Sequence, residues 1–518
     1  MRRLLSSTLA AGLTFGLTGA ARASVLTVPS ATYATPCSAI AAAQAGDEVD
    51  VSGGPYNDSC EINTQGVTVK GVGGQPKIDL SGTNHPADYK GIYVISADDV
   101  TIENLELTGA HIDDSEGGNG AGLRITGHGV VVRGCFIHDN QNGILAAPIV
   151  DGGTITLEYT ELSHNGLGDA CDQGGCVHNV YISKTSSAVR YDRTVFQWNW
   201  SHDLATDTAD KGHLLKSRSR ETDVLYNRIT GEAGHDSYEV DLPNGGLGIV
   251  VGNVIEKGAN PDNSILLDYG EEGIDAPSSA LYVVNNTFVN DSTTGTFIQV
   301  ASGATLTAHN NLFVGPGTPS STGALPADNL ATTAPLFVSP STYDYHLQAG
   351  SPAIGKAVPP GSAGTVSLVP VFEYVQPLES VARLSDKDLG AFEHGTVTTG
   401  AGSDAGAGTG DGGPASSGAG SGAGSGAGTT TGSGSGSGRG ATRGSGSGSG
   451  RSGATGDGGA NTSADGGAAG VAPASSGGCG CVVAGGAPRG RGGLAALFLG
   501  LALAVRRRRR VRPGDASS

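Results

Sequence analysis

The chain has 518 residues, with 31 Lys and Arg against 49 Asp and Glu, a net charge of −18, and 87 glycines. Acidity on this scale argues against nonspecific nucleic-acid binding, because the phosphate backbone would be repelled. Apolar residues alternate with period two and are interrupted by Gly, Asn and Thr, which excludes a helical bundle.

Arg2 and Arg3, an apolar run from Leu4 to about Leu17, and Ala21-Arg22-Ala23 read as a secretory signal peptide over 1–23, so export is expected. The mature region opens with short strands and two cysteines, Cys37 and Cys60, which an oxidising compartment would allow to pair. This stretch is expected to cap an open sheet end, where unpaired backbone needs cover.

From about Val100 to Val314 one shape recurs about every 25 to 35 residues. Its copies are VTIENLEL around Asn104, VVRGCFI around Gly134, ITLEYTEL around Tyr159, VRYDRTVF around Arg193, VLYNRI around Asn227, VVGNVI around Asn253, VVNNTF around Asn286 and TAHNNLF around Asn311. A second series, from GLRIT at Gly122 to TFIQV at Thr296, lies between these runs. One strand–turn–strand unit cannot bury its own apolar face, but stacked coils make a continuous core. The near-register asparagines predict an inward amide ladder, Cys135 a buried thiol, and the glycines at 117–122 a turn.

After the repeats come SPAIGKA at Ser351–Ala357 and DLGAFEH at Asp388–His394, placing the folded domain at 24–394. Residues 395–478 are almost wholly Gly, Ser, Ala and Thr, a composition that cannot offset its conformational entropy and predicts a flexible tether. The last segment, 479–518, holds Cys479 and Cys481, a short apolar run over Gly492–Val505 and the cluster Arg506–Arg510. Its apolar run is short for a span of about twenty residues, and the arginines would keep the tail cytoplasmic.

The densest mix of charges falls in GHLLKSRSRETDVLYNRITGEAGHDSYEVDLPNGG, Gly212–Gly246. If Tyr238 and Val240 point inward, Glu239 and Asp241 point outward, with Lys216 and Asp268 on the neighbouring coils. This predicts a surface row of Lys216, Glu239, Asp241 and Asp268, flanked by His213, Arg218, Arg220, His235 and Asp236. Two chemistries suit such a row. In β-elimination from a uronate polymer, Lys216 would be the base, its pKa lowered by Arg218 and Arg220, with His213 beside it and Glu239, Asp241 and Asp268 holding calcium. In glycoside hydrolysis, two of the carboxylates would act as acid and as base or nucleophile. His178, Arg220, Asn244, Tyr269 and Glu271 would then line the substrate. A bland alternative is a solvated charged face, or a noncatalytic binding surface. His164, Cys171, Cys176 and His178 have the ligand types of a zinc site, although export favours a Cys171–Cys176 disulfide.

Four resemblances follow from these residues. The repeat pattern resembles the right-handed parallel β-helix of pectate-lyase-like proteins, and SPAIGKA with DLGAFEH resembles the closing segments of bacterial β-helix proteins. HLLKSRS is similar to the lysine-bearing strand of calcium-dependent alginate-lyase-type enzymes, which implies Lys216 as base; where that family has an arginine on the next coil, this chain has Glu239 and Asp241. The tail resembles the myxobacterial C-terminal sorting signal, implying processing near Cys479 and Cys481, cell-surface display, and membrane contact only before processing. The expected partner is an extracellular polysaccharide, and the only expected cofactor is calcium.

Overall fold

The computed structural model describes residues 23–395 except 83–89, 114–118, 167–176, 206–211, 233–234 and 276–278. The expected signal peptide, the glycine-rich tether, Cys171, Cys176, Cys479 and Cys481 lie outside the described residues.

Among the described residues, three parallel sheets of 11, 10 and 10 strands run the length of the domain. One coil shows how the chain builds them. Strand Glu221–Leu225 lies in the first sheet, Arg228–Thr230 in the second and Asp236–Leu242 in the third. The chain then returns to the first sheet as Leu247–Val251, pairing in parallel with Glu221–Leu225. The fold is a right-handed parallel β-helix, as the interleaved repeats predict.

Stacking supplies the core that a single coil lacks. Val224, Val250 and Val283 lie in register on the first sheet, Ile229, Ile255, Phe288 and Phe313 on the second, and Leu215, Val240, Leu267 and Ile298 on the third. All are buried within one core. Each such side chain contributes about 1.5–3 kcal/mol by leaving water.

The corner between the first and second sheets explains the recurring asparagines. Asn104, Gly134, Tyr159, Trp198, Tyr226, Gly252, Asn285 and Asn310 occupy it with φ between +49° and +72°. The next residue turns inward. There the Asn199 N–H donates to Asn227 Oδ1 at 2.8 Å, Asn227 to Asn253 at 2.8 Å, Asn253 to Asn286 at 2.9 Å, Asn286 to Asn311 at 3.0 Å and Asn311 to Asn329 at 3.1 Å. Thr160 fills the rung before Asn199, and Cys135, a buried free thiol, the one before that. The alignment around Asn104 and Arg193 needs correction. Asn104 is a left-handed corner residue bonded to the Gly71 and Gly74 carbonyls, and Arg193 is an outward strand residue paired with Glu221 and Asp223. A second amide run, Asn140–Asn165–Asn179, follows the second-sheet strands.

At the N-terminal end, a short helix Pro36–Ile40 starts from a Thr35–Ser38 capping box and buries Ala39 and Ile40. The Cys37–Cys60 disulfide ties it to the third-sheet strand Cys60–Ile62. At the other end, SPAIGKA and DLGAFEH close on each other: Asp388 accepts from the Gly355 and His394 amides, while Ala353, Leu389, Ala391 and Phe392 are buried together.

Candidate active and cation site

The outer face of the third sheet carries the charged residues of Gly212–Gly246. Strand register aligns Arg124, Leu145, Tyr181, Lys216, Asp241, Asp268 and Gln299 on successive coils. Beside them stands a ring column, His178, His213 and Tyr238. Each imidazole there accepts from the next coil's backbone: His178 Nδ1 from the His213 N–H at 3.1 Å, and His213 Nδ1 from the Tyr238 N–H at 3.3 Å. Burial, reinforced by the charges of Lys216, His178 and Lys257, holds His213 well below the usual histidine range. The neutral ring therefore presents Nε2 toward Asp241 Oδ2, 3.4 Å away.

Lys216 sits at the centre and is only 3% exposed. Its Nζ lies 2.8 Å from Asp241 Oδ2 and 3.2 Å from Glu272 Oε1. Burial pushes its pKa down, but Asp241 and Glu272 outweigh burial and the Arg218 charge, leaving it raised overall. This corrects the expectation of a lysine depressed by two arginines. Arg218 forks onto both Glu272 oxygens at 2.6 and 2.7 Å, and also donates to Asn244 Oδ1 and Tyr181 Oη. Arg220 lies apart, paired with Asp151 and Asp192. Burial opposes ionisation of Glu272, yet the bonds from Arg218 and the charge of Lys216 hold its pKa below the ordinary value.

Beyond the lysine the balance turns acidic. Asp241, Asp268 and Glu271 each offer a carboxylate oxygen within 4.8 Å of the others. The Oδ1 atoms of Asp241 and Asp268 are buried without a hydrogen-bond partner among the described residues. Burial first, and neighbouring carboxylates next, raise Asp268 to about 8; burial likewise dominates at Asp241, raised to about 6 despite Lys216. Glu271 accepts from the Tyr238 hydroxyl at 2.6 Å and is otherwise exposed. Four carboxylates thus face two fixed cations, Lys216 and Arg218. Orphaned oxygens, excess negative charge and an all-oxygen donor set fit a hard divalent cation such as calcium.

Besides Arg220, two expected site residues lie elsewhere. Glu239 does not face outward. It is buried inside the coil with Asp236, where Lys257 Nζ from the second sheet reaches Asp236 Oδ2 at 2.8 Å and Glu239 Oε1 at 2.9 Å. Strict alternation fails along this strand: as with Leu214 and Leu215 on the strand before it, Glu239 and Val240 both turn inward. Tyr269 is a core residue whose hydroxyl donates to the Gly246 carbonyl. His178 and Asn244 are brought to the site only as inner supports, through the His213 amide and Arg218. Glu272 and Tyr181 were missed by the sequence reading, and Tyr238, expected to point inward, stands in the outer ring column with its hydroxyl on Glu271. Glu272 sits in a turn just past Asp268, where periodicity gives no direction. For the zinc reading, the two cysteines lie outside the described residues, and His178 is engaged by the His213 amide.

The raised carboxyls set a pH dependence. Relative to the unfolded chain, the metal-free fold holds extra protons on Asp241 and Asp268, so its stability falls as pH rises from the ordinary carboxyl range through about 6 and about 8. A cation replaces those protons. The rise in Tm on adding calcium is therefore expected to be small at pH about 5 and to grow until pH passes the Asp268 value of about 8. Thermal melts with calcium or chelator across this window measure it, and a pH-independent increment would contradict the assignment.

No family model and no curated protein matches the chain. Among solved structures, pectate lyase Pel9A is similar at 15% identity and a TM-score of 0.47, covering 72% of this chain and 97% of its own. A pectin methylesterase from Aspergillus niger follows at 12% identity and TM-score 0.32, covering 61% and 91%. A lacto-N-biosidase from Eubacterium ramulus gives 11% and 0.31, covering 60% and 68%.

Proposed function

We propose that the chain is an exported, surface-displayed β-helix that cleaves an acidic extracellular polysaccharide by cation-assisted β-elimination on the outer face of the third sheet. The observation that carries this reading is the juxtaposition of Lys216 with the orphaned, charge-excess group Asp241–Asp268–Glu271 on consecutive coils. A cation held there would bind the sugar carboxylate and acidify its α proton. Lys216, relieved of its ionised partner Asp241, would release its own proton and take that of the substrate. Electrons then form the ring double bond as the glycosidic C–O bond breaks, and the leaving oxygen is protonated from solvent. Arg218, braced by Asn244, holds Glu272 in place, and neutral His213 orients Asp241. A shallow depression lined by Arg124, Leu145 and Tyr181 continues the same column and would take neighbouring sugar units.

A second reading, binding without cleavage, is favoured by one observation: Lys216 is ion-paired and charged in the metal-free state. Incubating the full chain with calcium and polygalacturonate, alginate or glucuronan separates the possibilities. Elimination predicts the ultraviolet absorbance of an unsaturated product, abolished by chelator. New reducing ends without that absorbance would indicate hydrolysis, and retention without product would indicate a binding protein; either result would reject the lyase reading.

A further inference from the structure

A cleft of about 420 Å³ lies on a different face, between the outside of the second sheet and the chain around residues 333–345. Its sheet-side wall carries Glu256 on strand Val254–Lys257 and Asp291 just after strand Thr287–Asn290. Phe337, Tyr343 and Tyr345 form the opposite wall.

Glu256 is 4% exposed, and the Tyr345 hydroxyl donates to its Oε2. Its other oxygen has no donor among the described residues. Asp291 is exposed, and its carboxylate has neither a hydrogen bond nor an ion pair among the described residues. Tyr343 ends a 3-10 turn, Pro340–Thr342, with φ +60°, a conformation unfavourable for a bulky residue. Its ring is fixed over the Arg228 guanidinium at 3.9 Å. Phe337 meets Tyr345 edge-on at 5.1 Å.

We infer that this cleft is a second binding site, and that it takes an uncharged, hydroxyl-rich sugar unit. Its volume falls among small-ligand clefts, roughly 300–1,000 Å³. Free carboxylate oxygens accept from sugar hydroxyls, while Val289, Val314 and Phe337 suit the apolar C–H face of a pyranose. Arg228, the nearby cation, is already engaged by Glu232, so no free cation among the described residues lines the cleft to compensate a uronate carboxylate, and Asp291 repels one. Burial, the largest influence, raises Glu256 to about 7, consistent with a desolvated cleft. The two faces would thus select different units of a mixed acidic and neutral polymer.

Saturation-transfer NMR on the full chain tests this with methyl glucoside, methyl galactoside, N-acetylglucosamine and galacturonate as probes. At least one neutral sugar is expected to bind, with affinity reduced at least tenfold by Asp291→Ala and unchanged by Lys216→Ala, while galacturonate does not compete. Asp291 is exposed, so its removal leaves the fold intact, and Tyr343→Ala gives a second reading of the aromatic wall. Absence of binding by every neutral probe, or binding indifferent to both Asp291→Ala and Tyr343→Ala, would overturn the inference. Failure of elimination at the third sheet would leave it standing.

Discussion

Replacing Lys257 with methionine is expected to lower the stability of the domain by about 3–5 kcal/mol, the penalty for leaving a buried charge without its partner. Lys257, Asp236 and Glu239 are all fully buried inside the coil. Burial, followed by the Asp236 charge, pushes Glu239 well above the usual carboxyl range, while Lys257 and the Glu239 hydrogen bond keep Asp236 below it despite burial. The ammonium therefore faces two acids, and of these Asp236 is the one held toward its ionised form. Methionine removes the ammonium and strands Asp236. Adding Asp236→Asn removes the stranded charge, so the double variant is expected to regain part of the loss. Urea unfolding of both variants measures the effect; a Lys257→Met protein of wild-type stability would contradict the buried triad.

The second large effect is at Lys216. Lys216→Ala is expected to reduce kcat for uronate elimination by about 10²–10⁴-fold, the usual contribution of a positioned base. Calcium binding should survive, because the oxygen group Asp241–Asp268–Glu271 remains and loses a competing cation. Asp268→Asn should show the opposite pattern, with Lys216 intact and calcium dependence lost. Kinetics and calcium titrations on the two variants distinguish a base from a metal ligand. Equal loss of calcium binding in both would make Lys216 merely structural.

Much of this arrangement was legible from the residues. Repeats spaced about 25 to 35 residues apart announced a solenoid, and stacking alone brought Lys216, Asp241 and Asp268 onto adjacent coils. Less legible was which way each side chain points. Period-two alternation placed Glu239 beside Asp241, but it turns inward to Lys257, a second-sheet partner that strand periodicity does not reveal. Tyr269 was expected to line the substrate, yet its hydroxyl finds the Gly246 carbonyl inside. Glu271 and Glu272 lie in a turn, where no periodicity exists, and only the folded chain shows them meeting Tyr238 and Arg218. Lys216 points outward, as an ammonium that resists burial should, but it is not left exposed to solvent there. It is buried because it is paired twice.

The most direct test is a crystal structure grown with calcium above pH 8, with anomalous scattering to locate the ion. The account predicts one ion bridging Asp241, Asp268 and Glu271, with the Lys216 ammonium alongside. An ion bound at another face, or no ion at these three carboxylates under saturating calcium, would contradict it.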